Sequence, residues 1–197
     1  MYTETWASTF DGFKDESMNL HEFVLFFDKY IANKKFQYTT EDIILSSFTI
    51  DFNANQLPHL MGLQYWNNIH VKQPSKQYDL LKCGAWDIEF LKKADNGTFK
   101  EYRSRIESMP YLYSMLYDYN CEVRAIHSSM DSPFKRRKID LIFQKNGSKL
   151  AFVLELRKKK SIEHIEYVPT SFSVYSRTSK ALVGKHKKII IKSIKID

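Results

Sequence analysis

The feature that most constrains this chain is a run of short alternating segments between residues 138 and 196. KIDLIFQ, the turn Lys145-Asn146-Gly147-Ser148, LAFVLELR, IEYVPTSFSVY and KKIIIKSIKI follow one another with few helical spacings among them. Alternation at period two puts one face of a strand in a core, and Asn-Gly between two such runs favours a tight hairpin because both residues accept positive φ. An antiparallel meander is the expected structure. The same stretch holds the positive charge: residues 132–197 carry 17 Lys/Arg against 5 Asp/Glu, while residues 1–131 carry 13 against 18. A sheet with that excess is a platform for a polyanion, and phosphate backbones are the commonest such partner.

With 43% hydrophobic residues, 14 Phe and 12 Tyr in 197 residues, the chain can bury a full core. It is expected to form one α+β domain over 1–197, with 1–131 mainly helical and 132–197 the basic meander. N-terminal helices would then pack on a four- to five-stranded antiparallel sheet formed mainly by the C-terminal half. Cys83 and Cys121 are too few for a disulfide framework or a zinc site, which points to a reducing, cytoplasmic setting. MYTETWASTFDGF lacks the basic and apolar regions of a secretion signal, and no window approaches 18 consecutive apolar residues, so no membrane span is expected.

In the first half, Leu20, Phe23, Val24, Phe27, Tyr30 and Ile31 fall at helical spacing behind Asn19, with Glu22 completing a capping pattern. This helix should end near Lys34 and Lys35. Residues 43–52 suit a strand carrying Ile44, Ser46, Phe48 and Ile50 on one face. In LPHLMGLQYW, Pro58, His59 and Gly62 interrupt an apolar stretch, and an irregular loop is expected to hold His59 either structurally or for function. Thr98 and Glu101 have capping-box spacing before a helix with Phe99, Tyr102 and Ile106 inward, and Leu112, Met115, Leu116 and Tyr119 suggest another. CEVRAIH alternates as a strand before the cluster Lys135-Arg136-Arg137-Lys138.

Within LAFVLELR, Glu155 and Arg157 share a face opposite Phe152, Leu154 and Leu156. In the next strand Ser171, Ser173 and Tyr175 oppose Thr170, Phe172 and Val174, and Pro169 suggests an edge or a bulge. Glu155 and Arg157 could equally form a surface ion pair of little energetic weight.

The words LPHLMGLQYW, YVPTSF and GKHKKIIIKSI, in this order of elements, resemble the phage-associated branch of the ribonuclease group containing barnase, EndoU, the colicin ribonucleases and RelE toxins. The resemblance covers about residues 52–194. Its most specific parts are Pro58-His59-Leu60-Met61-Gly62 and Val168-Pro169-Thr170-Ser171-Phe172. It implies helices packed on a four-stranded antiparallel sheet and metal-independent attack of a ribose 2′-hydroxyl on the adjacent phosphate. That chemistry needs a base, an acid and fixed cations for the developing charge. On this resemblance His59 and Glu155 are candidates for proton transfer, Arg157 for a bidentate grip on phosphate, Thr170 or Ser171 as donors, and Lys185 as a cation at a strand mouth. Lys158, Lys159, Lys160, Arg177, Lys187 and Lys188 would hold flanking phosphates, the partner being RNA such as tRNA, with an inhibitor or antitoxin protein as a second partner. No cofactor is implied.

Two other readings use the same residues. Asp140, Glu155 and Arg157 resemble the Asp…Glu-x-Lys hairpin of magnesium-dependent restriction-type nucleases, although arginine cannot lose its proton to act as a base. Against shared cation binding, Arg157 and Lys158 would offset the two carboxylates. Alternatively the chain is a non-catalytic basic module of phage origin that binds nucleic acid or a host protein, needing the charge asymmetry but not His59, Glu155 or Ser171. Tyr65 and Trp66 could stack bases, or belong to the core. The basic residues of 132–197 are expected to converge on one face of the sheet and its rim.

Overall fold

The computed structural model describes residues 1–12, 18–126, 133–160, 164–182 and 186–197. Two helices open the chain, α1 (Glu4–Thr9) and α2 (Leu20–Tyr30). Asn19 caps α2 as its spacing predicts, its side chain accepting from the Glu22 amide, and Leu20, Phe23, Val24 and Phe27 face the core. The helix ends earlier than Lys34, because Lys35–Thr40 is a strand, β1, with Phe36, Tyr38 and Thr40 buried. Strand β2 is Ser47–Asp51, shorter than expected: Phe48 and Ile50 are buried, but Ile43 and Ile44 stand 96% and 83% exposed in the preceding turn.

Four helices follow: α3 (Leu57–Met61), α4 (Pro74–Lys82), α5 (Ile88–Ala94) and α6 (Asn96–Glu107). The cap of α6 is Asp95 instead of Thr98; its carboxylate accepts from both the amide and the hydroxyl of Thr98. Helix α7 (Tyr111–Leu116) is buried throughout, and strand β3 (Glu122–Ala125) follows it. The short helix α8 (Pro133–Arg136) leads into β4 (Leu141–Asn146), β5 (Leu150–Lys158) and β6 (Glu166–Ser176). A hairpin does join β4 and β5, but its turn falls later than expected: Lys145 and Asn146 belong to β4, Asn146 lies opposite Ala151, the Gly147 amide bonds to the Leu150 carbonyl, and neither Asn146 nor Gly147 takes a positive φ.

The last segment departs from a single strand. It divides at Ile190 into β7 (Lys187–Ile189), paired with β3, and β8 (Ile191–Ile196), paired with β1. The described strands form one sheet of eight in the order β7-β3-β4-β5-β6-β2-β1-β8. Because β7 and β8 are consecutive in the chain yet lie at opposite ends of that order, the sheet curls into a nearly closed barrel. Four to five strands therefore understates the sheet, and β1, β2 and β3 come from the first half. All described pairings are antiparallel except β2 with β6.

The main core lies on one side of the sheet, where Phe143, Phe152, Leu154, Leu156 and Phe172 meet Phe27, Phe36, Phe52 and Leu112. A smaller cluster of Phe134, Ile142, Ala151, Val153, Ala181 and Leu182 covers part of the other face. No described helix is long and apolar enough to cross a membrane.

Candidate active site

Strand β6 changes character along its length. Glu166 and Tyr167 pair with β2, but β2 ends there, so the part of β6 from Thr170 onward has a strand partner only on the β5 side. On the freed side, α3 and α6 approach β6. Between Glu155/Ser171 and Leu156/Pro169 the register shifts, leaving Thr170 as the extra residue of a bulge. Pro169 thus marks a bulge, as one of its two expected roles, and not an edge position. The Thr170 hydroxyl donates to the Glu155 carbonyl at 3.0 Å, serving the bulged backbone.

LPHLMGLQYW is more regular than its composition suggests. Pro58 sits in the first turn of α3, where its missing N–H costs nothing, and Gly62 ends the helix with φ 88°. Glycine is required twice over there, since a Cβ would stand 2.9 Å from the Tyr102 ring. This turn carries the His59 side chain to solvent beside Thr170. Partial burial of the ring and then the charge of Arg105 pull its pKa below the ordinary imidazole value, against an opposing backbone hydrogen bond with Thr170. Trp66 is core, donating to the Leu91 carbonyl, whereas Tyr65 is half exposed and stacks on Tyr102 with ring centroids 4.9 Å apart.

Arg105 connects the two parts. Only 8% exposed, its guanidinium donates from Nε to the Leu60 carbonyl at 2.6 Å, and from one Nη to both the His59 carbonyl and Ser171 Oγ at 3.1 Å. Burial lowers its pKa, but a guanidinium stays charged at neutral pH. Ser171 Oγ is also 3.3 Å from Ser173 Oγ. Arg105, Tyr102, Ser104, Ser173 and Tyr175 line a cleft of about 260 Å³. Arg105 is the residue that strand-based reasoning misses; the available signal was an arginine on the apolar stripe of α6, next to Ile106.

Glu155 is fully buried instead of forming a surface pair. Tyr175 donates to one oxygen at 2.9 Å, and Arg137 lies 2.8 Å from the other and also donates to the Tyr175 hydroxyl. Burial and then the Glu155 charge raise the Tyr175 pKa; burial lowers that of Arg137, but the charges of Glu155 and Tyr175 and its hydrogen bonds with both together raise it above the ordinary value. Arg157 does not reach into the cleft; its guanidinium donates to the carbonyls of Arg137 and Lys138 and so holds the segment that carries Arg137. Asp140 is engaged elsewhere, accepting from the Lys158 amide at 2.8 Å. Among the described residues no three His, Cys, Asp or Glu cluster as metal ligands.

The flanking cations are divided. Lys158 lies opposite Tyr167, at the end of β6 that pairs with β2, with Lys159 and Lys160 following it; Lys159 pairs with Glu166 and Asp51. Lys187 and Lys188 lie on β7, four strands from β6 in the sheet order, and Lys187 pairs with Asp42. The basic residues therefore occupy several parts of the barrel and do not converge on one face. Lys185 lies outside the described residues.

A histidine, a buried arginine and hydroxyls gathered at an open strand are consistent with phosphoester chemistry, and comparison of the whole sequence decides the family. The model of the phage-Barnase-EndoU-ColicinE5/D-RelE like nuclease 4 family matches residues 19–197. The chain belongs to this family. Its membership extends the resemblance over about residues 52–194 to residues 19–197, and nucleic acid is the substrate class of such a nuclease. No curated protein and no solved structure matches this nuclease.

Proposed function

We propose that this nuclease is a metal-independent endoribonuclease in which His59, Arg105 and Ser171 act at the open part of β6. The carrying observation is the buried Arg105 guanidinium, which joins Ser171 Oγ to the turn that presents His59. A neutral His59, favoured by its lowered pKa, takes the proton of a ribose 2′-hydroxyl as that oxygen bonds to phosphorus. The bond from phosphorus to the 5′-oxygen breaks, and the departing oxygen takes a proton from solvent. Arg105 and Ser171 face the charge that grows on the phosphate, where a fixed cation is worth most.

Glu155 cannot touch substrate while fully buried, so it acts through Tyr175 and Arg137, keeping the cleft wall in place; Arg157 serves the same segment from behind. The Tyr65–Tyr102 stack beside the cleft offers a π surface for a base. RNA, with tRNA as the first candidate, is the substrate in this reading. A single domain is supported by a sheet built from both halves of the chain, and a cytoplasmic setting by two cysteines left as free thiols. A cell carrying such an activity needs restraint, for which an inhibitor or antitoxin protein is the partner.

The test is incubation of purified protein with labelled tRNA and unstructured RNA, with and without EDTA, followed by end-group analysis. Cleavage in EDTA leaving a cyclic phosphate is the expected result. Cleavage only with magnesium would overturn the metal-independent mechanism, and retarded but intact RNA would make the chain a binding module.

A further inference from the structure

A second cleft, of about 310 Å³, opens around β3 and β4 and is lined by Arg124, Gln144, Asn146, Arg177 and Leu182. In the sheet it is separated from the catalytic cleft by β5, and Arg124 stands three strands from Ser171 in the same cross-strand row, since Arg124 opposes Ile142, Ile142 opposes Glu155 and Glu155 opposes Ser171. Side chains opposite one another across adjacent strands point to the same face, so both clefts open on one face of the sheet.

The arginines of this cleft differ in a useful way. Arg124 is fixed: two of its nitrogens bond one Glu122 oxygen and Nη1 donates to the Leu182 carbonyl at 2.8 Å. Glu122 is held in turn, because the Asn146 side chain donates to its other oxygen at 2.9 Å and Gln144 donates to Asn146 Oδ1 at 2.7 Å. That amide chain determines where the Arg124 charge sits, and three of the five guanidinium N–H groups are used, leaving two. Arg177, by contrast, is exposed, and its guanidinium has no hydrogen-bond or ion-pair partner among the described residues. Glu122 feels the charges of Arg124 and of Lys188, which lies opposite Arg124 on β7, and Arg177 adds a third cation to the same region. A fixed guanidinium beside a free one, in a recess with surplus positive charge, matches a phosphodiester group.

We infer that the Arg124/Arg177 cleft is a second phosphate-binding subsite, which holds a backbone phosphate of the same RNA strand at least one nucleotide away from the scissile group. This rests on the ribonuclease reading for the identity of the strand. It makes the enzyme recognise a length of RNA: a dinucleotide would fill the catalytic cleft alone, whereas a longer strand would pass over the apolar cluster that covers β5 and reach both.

The experiment measures binding and not cleavage, using fluorescent 2′-O-methyl oligonucleotides, which lack the attacking hydroxyl. Affinities of a dinucleotide and a hexanucleotide are compared for wild-type protein, Arg177→Glu and Arg124→Gln, with circular dichroism confirming that each is folded. We expect Arg177→Glu to weaken hexanucleotide binding by about tenfold and its dependence on log salt by about one, with dinucleotide affinity unchanged. Equal losses for both lengths, no loss for either, or failure of wild-type protein to bind the hexanucleotide tighter than the dinucleotide would overturn the subsite. Absence of cleavage of ordinary RNA alongside the expected binding pattern would overturn the ribonuclease reading and leave the subsite standing.

Discussion

The two lengths of β6 make an instructive comparison. Around Tyr167 the strand is paired on both sides, and that side chain is buried against Phe48. Beyond the bulge at Thr170 the β2 partner is gone, and Arg105, His59 and the Ser171 and Ser173 hydroxyls gather there. A strand with its ladder complete has no groups left for chemistry, while one released from it can admit side chains from helices. The bulge and the early end of β2 together turn a structural strand into one wall of a site.

If that contrast is right, substitutions on the open length should impair cleavage, and substitutions on the inner face should impair folding. After His59→Ala, Arg105→Gln is expected to have the largest effect, lowering single-turnover cleavage about 100-fold, as for loss of a preorganised charge donor. It should also destabilise the fold, because the carbonyls of His59 and Leu60 lose their donor; chemical denaturation separates the two effects. Leu154→Ala, in the main core, should instead cost about 2–5 kcal/mol of stability in urea unfolding while cleavage per folded molecule stays at the wild-type level. A large loss of activity in folded Leu154→Ala protein would dissolve the contrast.

Ser171→Ala removes one hydroxyl facing Arg105, and a loss of about fivefold in cleavage is expected, the size of one net hydrogen bond. The smallest effect concerns pH. The His59 pKa is lowered, so the ring is neutral, and able to act as base, to below its ordinary titration range. Cleavage should therefore rise with pH along a limb centred below the ordinary histidine value of about 6.5, and Arg105→Gln, which removes a repelling charge, should move that limb toward higher pH. The same shift contributes to stability above the unfolded histidine pKa, and that contribution is lost as pH falls through the folded one. A limb centred above pH 7 in wild-type protein would exclude His59 as the base.

How much of this was legible in the sequence differed between the two lengths of the molecule. The β4–β5 hairpin and the Asn19 cap depend on neighbours in sequence, so local pattern found them. Strand β1 hides in KFQYTT between lysines, and KKIIIKSIKI reads as one run because only tertiary pairing assigns its two parts to β3 and β1. His59, Thr170 and Ser171 stand out in their motifs, and the fold brings them near one another through Arg105. Arg105 was not, since a charged residue on an apolar helical stripe gains its meaning from the carbonyls of Leu60 and His59, 45 and 46 positions away. The roles expected for Arg157 and Glu155 presupposed open space at a strand face that Arg137 and Tyr175 occupy.

The most direct test of the central claim is single-turnover cleavage of RNA in EDTA by His59→Ala, with affinity measured on a 2′-O-methyl strand of the same sequence. The expected result is a loss of roughly two to four orders of magnitude in rate with affinity nearly unchanged, the usual cost of removing one acid–base group. Wild-type rates from a folded His59→Ala protein would contradict it.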